Sequence, residues 1–217
     1  MPVLDEAAGL GAALARLAPL RERGHEVIVA DGGSGDGSAA IAQPLVDRVV
    51  RAPRGRASQM NAGAAAASGD ALLFLHADTA LPPDAEDRVA QGLARCDWGR
   101  FDVDIEGRGA LLPVVSYFMN LRSRLTGIAT GDQAIFVRRA AFEGFPEIAL
   151  MEDVAFSAAM KRRRGRPACL RARVRTSGRR WERNGALRTV LLMWRLRLAY
   201  FLGAAPEELA RRYARGR

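Results

Sequence analysis

Apolar positions along this chain recur with two periods in turn, and the alternation predicts strands and helices following one another. Pro2-Val3-Leu4 reads as the end of a strand, and Leu10, Leu14 and Leu17 at helical spacing predict a helix over 7–20. Glu26–Ala30 is a short apolar strand, followed by a Gly/Ser/Asp turn and a helix over Ser38–Leu45. A strand near Arg48–Arg51, an Ala-rich helix over Gln59–Ala67 and a compact apolar strand over Ala71–Leu75 come next. Pro82 suits the first turn of a helix running to about Ala94. Strands over Gly99–Ile105 and Gly131–Val137 flank an apolar stretch, Ala110–Leu121, and a helix is expected over Val154–Arg163. Such alternation predicts an α/β fold with a mostly parallel sheet covered on both faces. Ligands sit at the carboxyl ends of strands in these sheets, and Asp5-Glu6, Asp31 and Asp78 all fall there.

The pattern changes in the tail. Leu187–Leu202 is apolar but interrupted by Arg188, Arg195 and Arg197, so its uninterrupted runs fall well short of the ~20 residues a spanning helix needs. On a helix, Leu187, Val190, Leu191, Trp194, Leu198 and Phe201 share one face with arginines beside it. That fits an interfacial helix at a membrane surface, and equally a helix packed on the core. The expected division is a principal domain over 1–182 and an amphipathic helical segment over 183–217.

Composition narrows the class. Of 217 residues 49% are hydrophobic and 26% charged, which excludes a disordered chain and suits one well-buried domain. The net charge is +9, and the excess lies after Lys161, in 161–164 and in Arg166, Arg171, Arg173, Arg175, Arg179 and Arg180. A run of this kind is a solvated face, or a surface for anionic lipid or phosphate. Two cysteines far apart and two histidines make a zinc site or a disulfide framework a poor reading, so a reducing cytosol is expected. The first residues lack the basic and apolar regions of a signal peptide.

Five segments carry candidate chemistry. Asp31-Gly32-Gly33-Ser34-Gly35-Asp36 follows a strand directly; its carboxylate suits a base N–H or a ribose hydroxyl, and its glycines allow close approach of a ligand. The spacing is neither a dinucleotide fingerprint nor a P-loop, and a plain Gly-rich turn capped by Ser38 is the alternative. Phe74-Leu75-His76-Ala77-Asp78 brings a carboxylate out of a buried strand, a fitting ligand for Mg²⁺ or Mn²⁺ whose other ligands are phosphate and water. The alternative is a turn or capping aspartate. Arg54-Gly55-Arg56 opens a helix containing Asn61, and basic groups at a helix start suit phosphate, though a surface loop would look the same. Glu152-Asp153 begins a helix, either as residues favoured by the helix dipole or with Asp153 as a general base for an acceptor hydroxyl. Arg179-Arg180-Trp181 sets guanidinium groups beside an indole, suited to a leaving diphosphate and a stacked sugar, or to a core Trp among surface arginines.

Taken in order, these segments resemble the family 2 glycosyltransferases of the GT-A fold. Met1-Pro2-Val3-Leu4-Asp5-Glu6 is similar to the end of that family's first strand, and His76-Ala77-Asp78 stands where the Asp-x-Asp metal motif belongs. Met151-Glu152-Asp153 resembles the acidic pair whose second member is the base, and Arg179-Arg180-Trp181 the end of Gln-x-x-Arg-Trp. Pro53–Gly63, Phe74–Thr79, Gly127–Phe136 and Thr176–Glu182 look closer still to a compact bacterial subfamily, the radical-SAM/selenodomain-associated glycosyltransferases. The resemblance implies a GT-A fold, with a mixed, mostly parallel central sheet flanked by helices and a first strand that starts late. It also implies inverting transfer of one sugar from a nucleotide-diphosphate sugar to a hydroxyl acceptor, with Mg²⁺ or Mn²⁺; the amphipathic stretch Leu187–Leu202 adds a lipid-linked acceptor as an expectation.

By the same resemblance, Asp153 and Glu152 are catalytic and Asp78 holds the metal. Pro2, Glu6, Asp31, Gly33, Arg56, Asn61, His76, Ala77, Arg179 and Arg180 meet the donor, and Asp132 and Trp181 the acceptor. His76 replaces the first Asp of the metal motif, and Ser177 stands where processive enzymes carry Gln, which implies a single transfer. The implied location is the cytoplasm, peripheral on the inner face of the membrane, with no nucleic-acid partner. Two rivals stand beside this reading: a sugar-phosphate nucleotidyltransferase, and a non-catalytic basic module at a membrane surface. The first should carry a basic Gly-rich loop after the first strand, which Glu6-Ala7-Ala8-Gly9 lacks; the carboxylate set weighs against the second.

Overall fold

The protein is described by a computed structural model over residues 1–215, without the side chain of Arg180. Its first half is built on three short parallel strands, β1 (Pro2–Val3), β2 (Ile28–Asp31) and β3 (Arg48–Arg51), ordered β1-β2-β3. All four residues of β2 are buried, as a strand covered on both faces must be. Helices α1 (Ala7–Ala15), α2 (Ala18–Glu22), α3 (Ser38–Ala42) and α4 (Arg56–Ala66) surround the sheet, and α4 packs on all three strands. The single helix expected over 7–20 is two, because Pro19 lacks an N–H and its ring crowds the preceding turn.

The second sheet holds β4 (Ala71–Leu73), β5 (Thr79–Ala80), β6 (Trp98–Glu106), β7 (Ile135–Arg138) and β8 (Ala168–Ser177), ordered β4-β7-β6-β8-β5. Here β6 and β8 run parallel, while β4–β7, β6–β7 and β5–β8 are antiparallel. The α/β class with a mixed sheet is as the resemblance implies, with parallel pairing concentrated in the first half. Residues 131–137 begin as a 3-10 turn, Gly131–Gln133, closed by reciprocal bonds between Thr130 and Gln133, so β7 starts only at Ile135. Strand β8 occupies the stretch of alternating arginines that suggests only a basic face in the sequence. Arg171, Arg173 and Arg175 point outward while Val174 and Thr176 are buried, a period-2 signal in plain view.

The remaining helices are α5 (Ala85–Leu93), α6 (Leu112–Thr126), α7 (Glu152–Arg164), α8 (Arg179–Asn184), α9 (Ala186–Phe201) and α10 (Pro206–Arg215). The main core joins Val3, Leu10, Leu14 and Val29 to Phe101, Val103, Phe136 and Val174 across the two sheets. Arg100 is fully buried yet paired: Asp102 accepts from Arg100 and from Arg124, and Ser123 Oγ accepts from Arg100 Nε at 3.0 Å. The tail folds onto the body, with Leu196 of α9 and Leu209 of α10 packed against Met151 and Val154 at the start of α7. The opposite side of α9 stays open, with Leu187, Leu191, Trp194, Leu198 and Phe201 exposed. One face of this helix therefore packs on the core, and the other is exposed. No helix among the described residues is long and apolar enough to cross a membrane.

Beside the starts of β1 and β2 lies a mostly apolar groove of about 420 Å³, bounded by Leu17, Leu20, Met60, Leu72, Val89 and Leu93. The amino group of Met1 is buried there and donates to the Ile28 carbonyl at 2.8 Å; burial pushes its pKa down to about 5.

Candidate active site

The carboxyl ends of the strands and the start of α7 bring the candidate residues together. The turn Gly131–Gln133 places Asp132 Oδ1 3.7 Å from His76 Nδ1. A side chain on Gly131 would meet the His76 ring at 2.5 Å, so only glycine lets the ring lie against this turn. The Gly131 N–H donates to Asp153 Oδ2 at 2.9 Å and the Val154 N–H to Oδ1 at 2.7 Å, which fixes the Asp153 carboxylate. His76, Gly131, Glu152 and Asp153 line one small cavity together with Met60, Phe74 and Phe145. Below it, Phe74, Phe145 and Phe156 stack edge to face and face to face at 4.8 and 4.3 Å, locking the segment that leads to Asp78 against the helix that carries Asp153.

Arg56, the first residue of α4, is the charge around which the acidic residues gather. Its guanidinium lies 3.6 Å from Glu152 and within the fields of Asp132, Asp153 and Asp78. Glu152 is buried; burial first, then the Asp153 charge, hold its carboxyl above the usual range, with Arg56 opposing. Glu6 is also held above the usual range, by burial first and then by Asp78 and Asp36, against Arg179 and His76. These couplings connect the loop after β1, the end of the Asp78 segment and the start of α8. Three non-glycine residues with positive φ, Asp5 (53°), Ala134 (45°) and Met151 (72°), each stand next to a site segment, as backbone strain at functional sites tends to.

Other expected residues sit differently. Asp31 is buried at the end of β2, and its carboxylate accepts from the Gly33 and Ser34 N–H groups and the Ser34 hydroxyl. These hydrogen bonds tie it to its own loop. The Asn61 amide bonds both polar atoms of the Phe145 backbone, at 2.9 and 2.7 Å, and so pins the loop before α7. Trp181 is half-buried against the main core, and Arg179 Nε donates to Ser177 Oγ at 3.0 Å. Pro2 pairs with Ala30 in the first sheet, Gly33 is exposed with φ of 90°, and Ala77 is half-buried. The Arg180 side chain lies outside the described residues. Two residues that sequence reasoning passed over, Arg122 on α6 and Arg197 on α9, reach the same region, since each feels the Asp153 charge. No spacing signal marks them; they look like any arginines on an amphipathic helix.

Among the described residues no group of three metal-ligating side chains is gathered. Asp78 is exposed, and among the described residues its one side-chain hydrogen bond is a long one from Thr79, 3.3 Å. A carboxylate so placed suits a divalent cation whose other ligands are phosphate and water.

A parallel α/β half carrying acidic loops, joined to a mixed sheet that presents a fixed carboxylate and a cationic centre, is the build of a nucleotide-sugar transferase. The profile of glycosyl transferase family 2 matches residues 1–143, and the chain belongs to that family. A search of curated proteins by sequence found no match. Similar solved structures include glucosyl-3-phosphoglycerate synthase from Mycobacterium tuberculosis with Mn²⁺, uridine diphosphate and glucosyl-3-phosphoglycerate, at TM-score 0.60 and 18% identity, covering 81% of this chain and 68% of that one. S. aureus TarS 1-349 with UDP-GlcNAc has a TM-score of 0.65 and 19% identity, over 82% of this chain and 57% of TarS 1-349. Mannosyl-3-phosphoglycerate synthase from Rubrobacter xylanophilus has a TM-score of 0.60 and 18% identity, over 94% and 74%. These likenesses show the GT-A fold. The chain spans less than two thirds of some of the proteins it matches, 63% of a mycobacterial protein and 62% of TarS 1-349 without ligand.

Proposed function

We propose that this chain transfers one sugar from a nucleotide-diphosphate sugar to a hydroxyl acceptor, inverting the anomeric carbon. The observation that carries the reading is the gathering of Asp78, Asp132, Glu152 and Asp153 around Arg56, with His76 against the Asp132 turn. Asp153, held by two backbone N–H groups, takes the acceptor proton as the acceptor oxygen attacks the anomeric carbon from the face opposite the diphosphate. The bond to the diphosphate breaks in the same step, and Arg56 faces the leaving charge with Arg179 at the start of α8. Glu6 and the Asp31 loop hold the nucleoside, with Pro2, Gly33, Asn61 and Ala77 shaping the donor site. Asp132 and Trp181 position the acceptor. Asp78 would hold Mg²⁺ or Mn²⁺, which offsets charge on the leaving diphosphate. Fold neighbours crystallised with UDP-glucose and Mn²⁺, or with uridine diphosphate and Mg²⁺, support a nucleotide donor and a divalent ion.

We take 1–182 as the principal domain and 183–217 as a C-terminal segment, which within the described residues carries the end of α8, α9 and α10. The exposed apolar face of α9, with Arg188 and Arg195 on the same helix, supports peripheral contact with the cytoplasmic face of a membrane and an acceptor presented there. The deciding experiment measures release of nucleotide diphosphate from UDP-, GDP-, dTDP- and CDP-sugars with Mn²⁺, for wild type and Asp153→Asn. Loss of turnover by ~100-fold or more with nucleotide binding retained is expected. Turnover of the variant at the wild-type rate would remove Asp153 from the base role.

A further inference from the structure

Arg122 lies on α6 and Arg197 on α9, elements from opposite ends of the second half of the chain. The Nε and Nη2 atoms of Arg122 and the Nε of Arg197 are buried with no hydrogen-bond partner among the described residues. Scarcity of carboxylates does not explain this. On the same helix Arg124 shares Asp102 with Arg100, so the fold neutralises buried guanidinium groups where it needs to. Arg122 is pushed down to about 10 by burial first and by the neighbouring charge of Arg197 next, with Asp153 opposing. Arg197 is lowered by burial, against the attraction of Asp153 and Asp132. Leu196, next to Arg197, packs against Met151 and Val154, the residues that flank Glu152-Asp153, so these groups converge on the start of α7. Two desolvated like charges that repel each other are unfavourable, and each presents N–H groups in a planar fork that matches an oxyanion.

We propose that Arg122 and Arg197 form a binding site for an oxyanion, a phosphate or carboxylate group, next to Asp153. The inference rests on the reading of Asp153 as base and sharpens it. An acceptor whose hydroxyl meets Asp153 and whose anionic group lies between the two guanidinium groups is held at two points, which orients the attacking oxygen. Neither α6 nor α9 contributes to the loops after β1 and β2 where the nucleoside is placed, which favours the acceptor over the donor diphosphate as the source of the anion.

The probe is inorganic phosphate, read by the melting temperature from intrinsic tryptophan fluorescence at physiological salt. Phosphate is expected to raise the melting temperature of the wild type, and the rise should vanish in Arg122→Met and Arg197→Met. Arg122→Lys and Arg197→Lys keep the charge and should keep part of the rise, which holds the test open if a methionine variant fails to fold. No rise in the wild type, or an equal rise in the methionine variants, overturns the proposal, because phosphate then acts only as a general stabilising salt. A second arm measures binding of uridine diphosphate with Mn²⁺. Variants that lose the phosphate response and keep the nucleotide assign the anion to the acceptor; variants that lose both assign it to the donor, and the site stands either way. A wild type that responds to phosphate but binds no sugar nucleotide would sink the transferase reading while leaving this one intact.

Discussion

Glu152 and Asp153 are adjacent in sequence and opposite in circumstance. Asp153 is half-buried and bonded by backbone N–H groups, whereas Glu152 is buried and held above the usual carboxyl range by burial first and Asp153 second. Its neutral form is favoured in the fold, so its contribution to stability is whole below the ordinary value of 4.5 and declines as pH rises through the raised one. Glu152→Gln should therefore melt above the wild type at neutral and alkaline pH, with the gap closing in acid; a lower melting temperature at all pH values would show that the Arg56 contact outweighs burial. At this scale the sequence was informative about which residues carry charge at strand ends. The place of Asp78 at the end of a buried apolar segment was legible from the run Phe74-Leu75 before it, and that of Asp153 in the first turn of a helix from the periodic residues that follow it. Asp31 and Asn61 were less so, since whether a polar group faces a ligand or its own loop depends on turn geometry that side-chain type does not encode.

Among the elements, α9 has one face packed on the core and the other bare. Leu196 ties it to Met151 and Val154 at the start of α7, while Trp194 and Phe201 stand 67% and 72% exposed, too much apolar surface to be incidental on a single helix. Sedimentation with vesicles containing anionic lipid should carry the wild type down. Trp194→Ser with Phe201→Ser should leave it in solution without lowering the melting temperature, since neither side chain is part of the core. Equal sedimentation of both proteins would remove the membrane reading and leave an apolar face for another partner. Periodicity located this helix almost to the residue, and it located β3 to the residue. It missed β8 because Arg171, Arg173 and Arg175 drew attention to charge, and it could not order the second sheet, since strand direction depends on long-range pairing that local pattern does not contain.

For the molecule as a whole, one core joins the two sheets, and the apolar groove opens beside the starts of β1 and β2. The Met1 amino group is buried beside that groove, and its value near 5 stands against an ordinary 8.0. Between these values the unfolded chain binds the extra proton. Stability therefore climbs with pH from about 5 to 8, by roughly 4 kcal/mol from this group alone, and is lost again as pH falls toward 5. Urea unfolding across that interval should show the climb, and a chain extended before Met1, where an amide replaces the amine, should not. Identical pH profiles for the two chains would mean the amino group reaches water. The groove beside it has a consequence for the bench. Leu17, Leu20, Leu72 and Leu93 offer an environment-sensitive dye a seat in the native state, so such dyes should glow before any heating. A bright baseline from this protein would report an open crevice in a folded molecule, and ligand screens on it are better read from its own tryptophans.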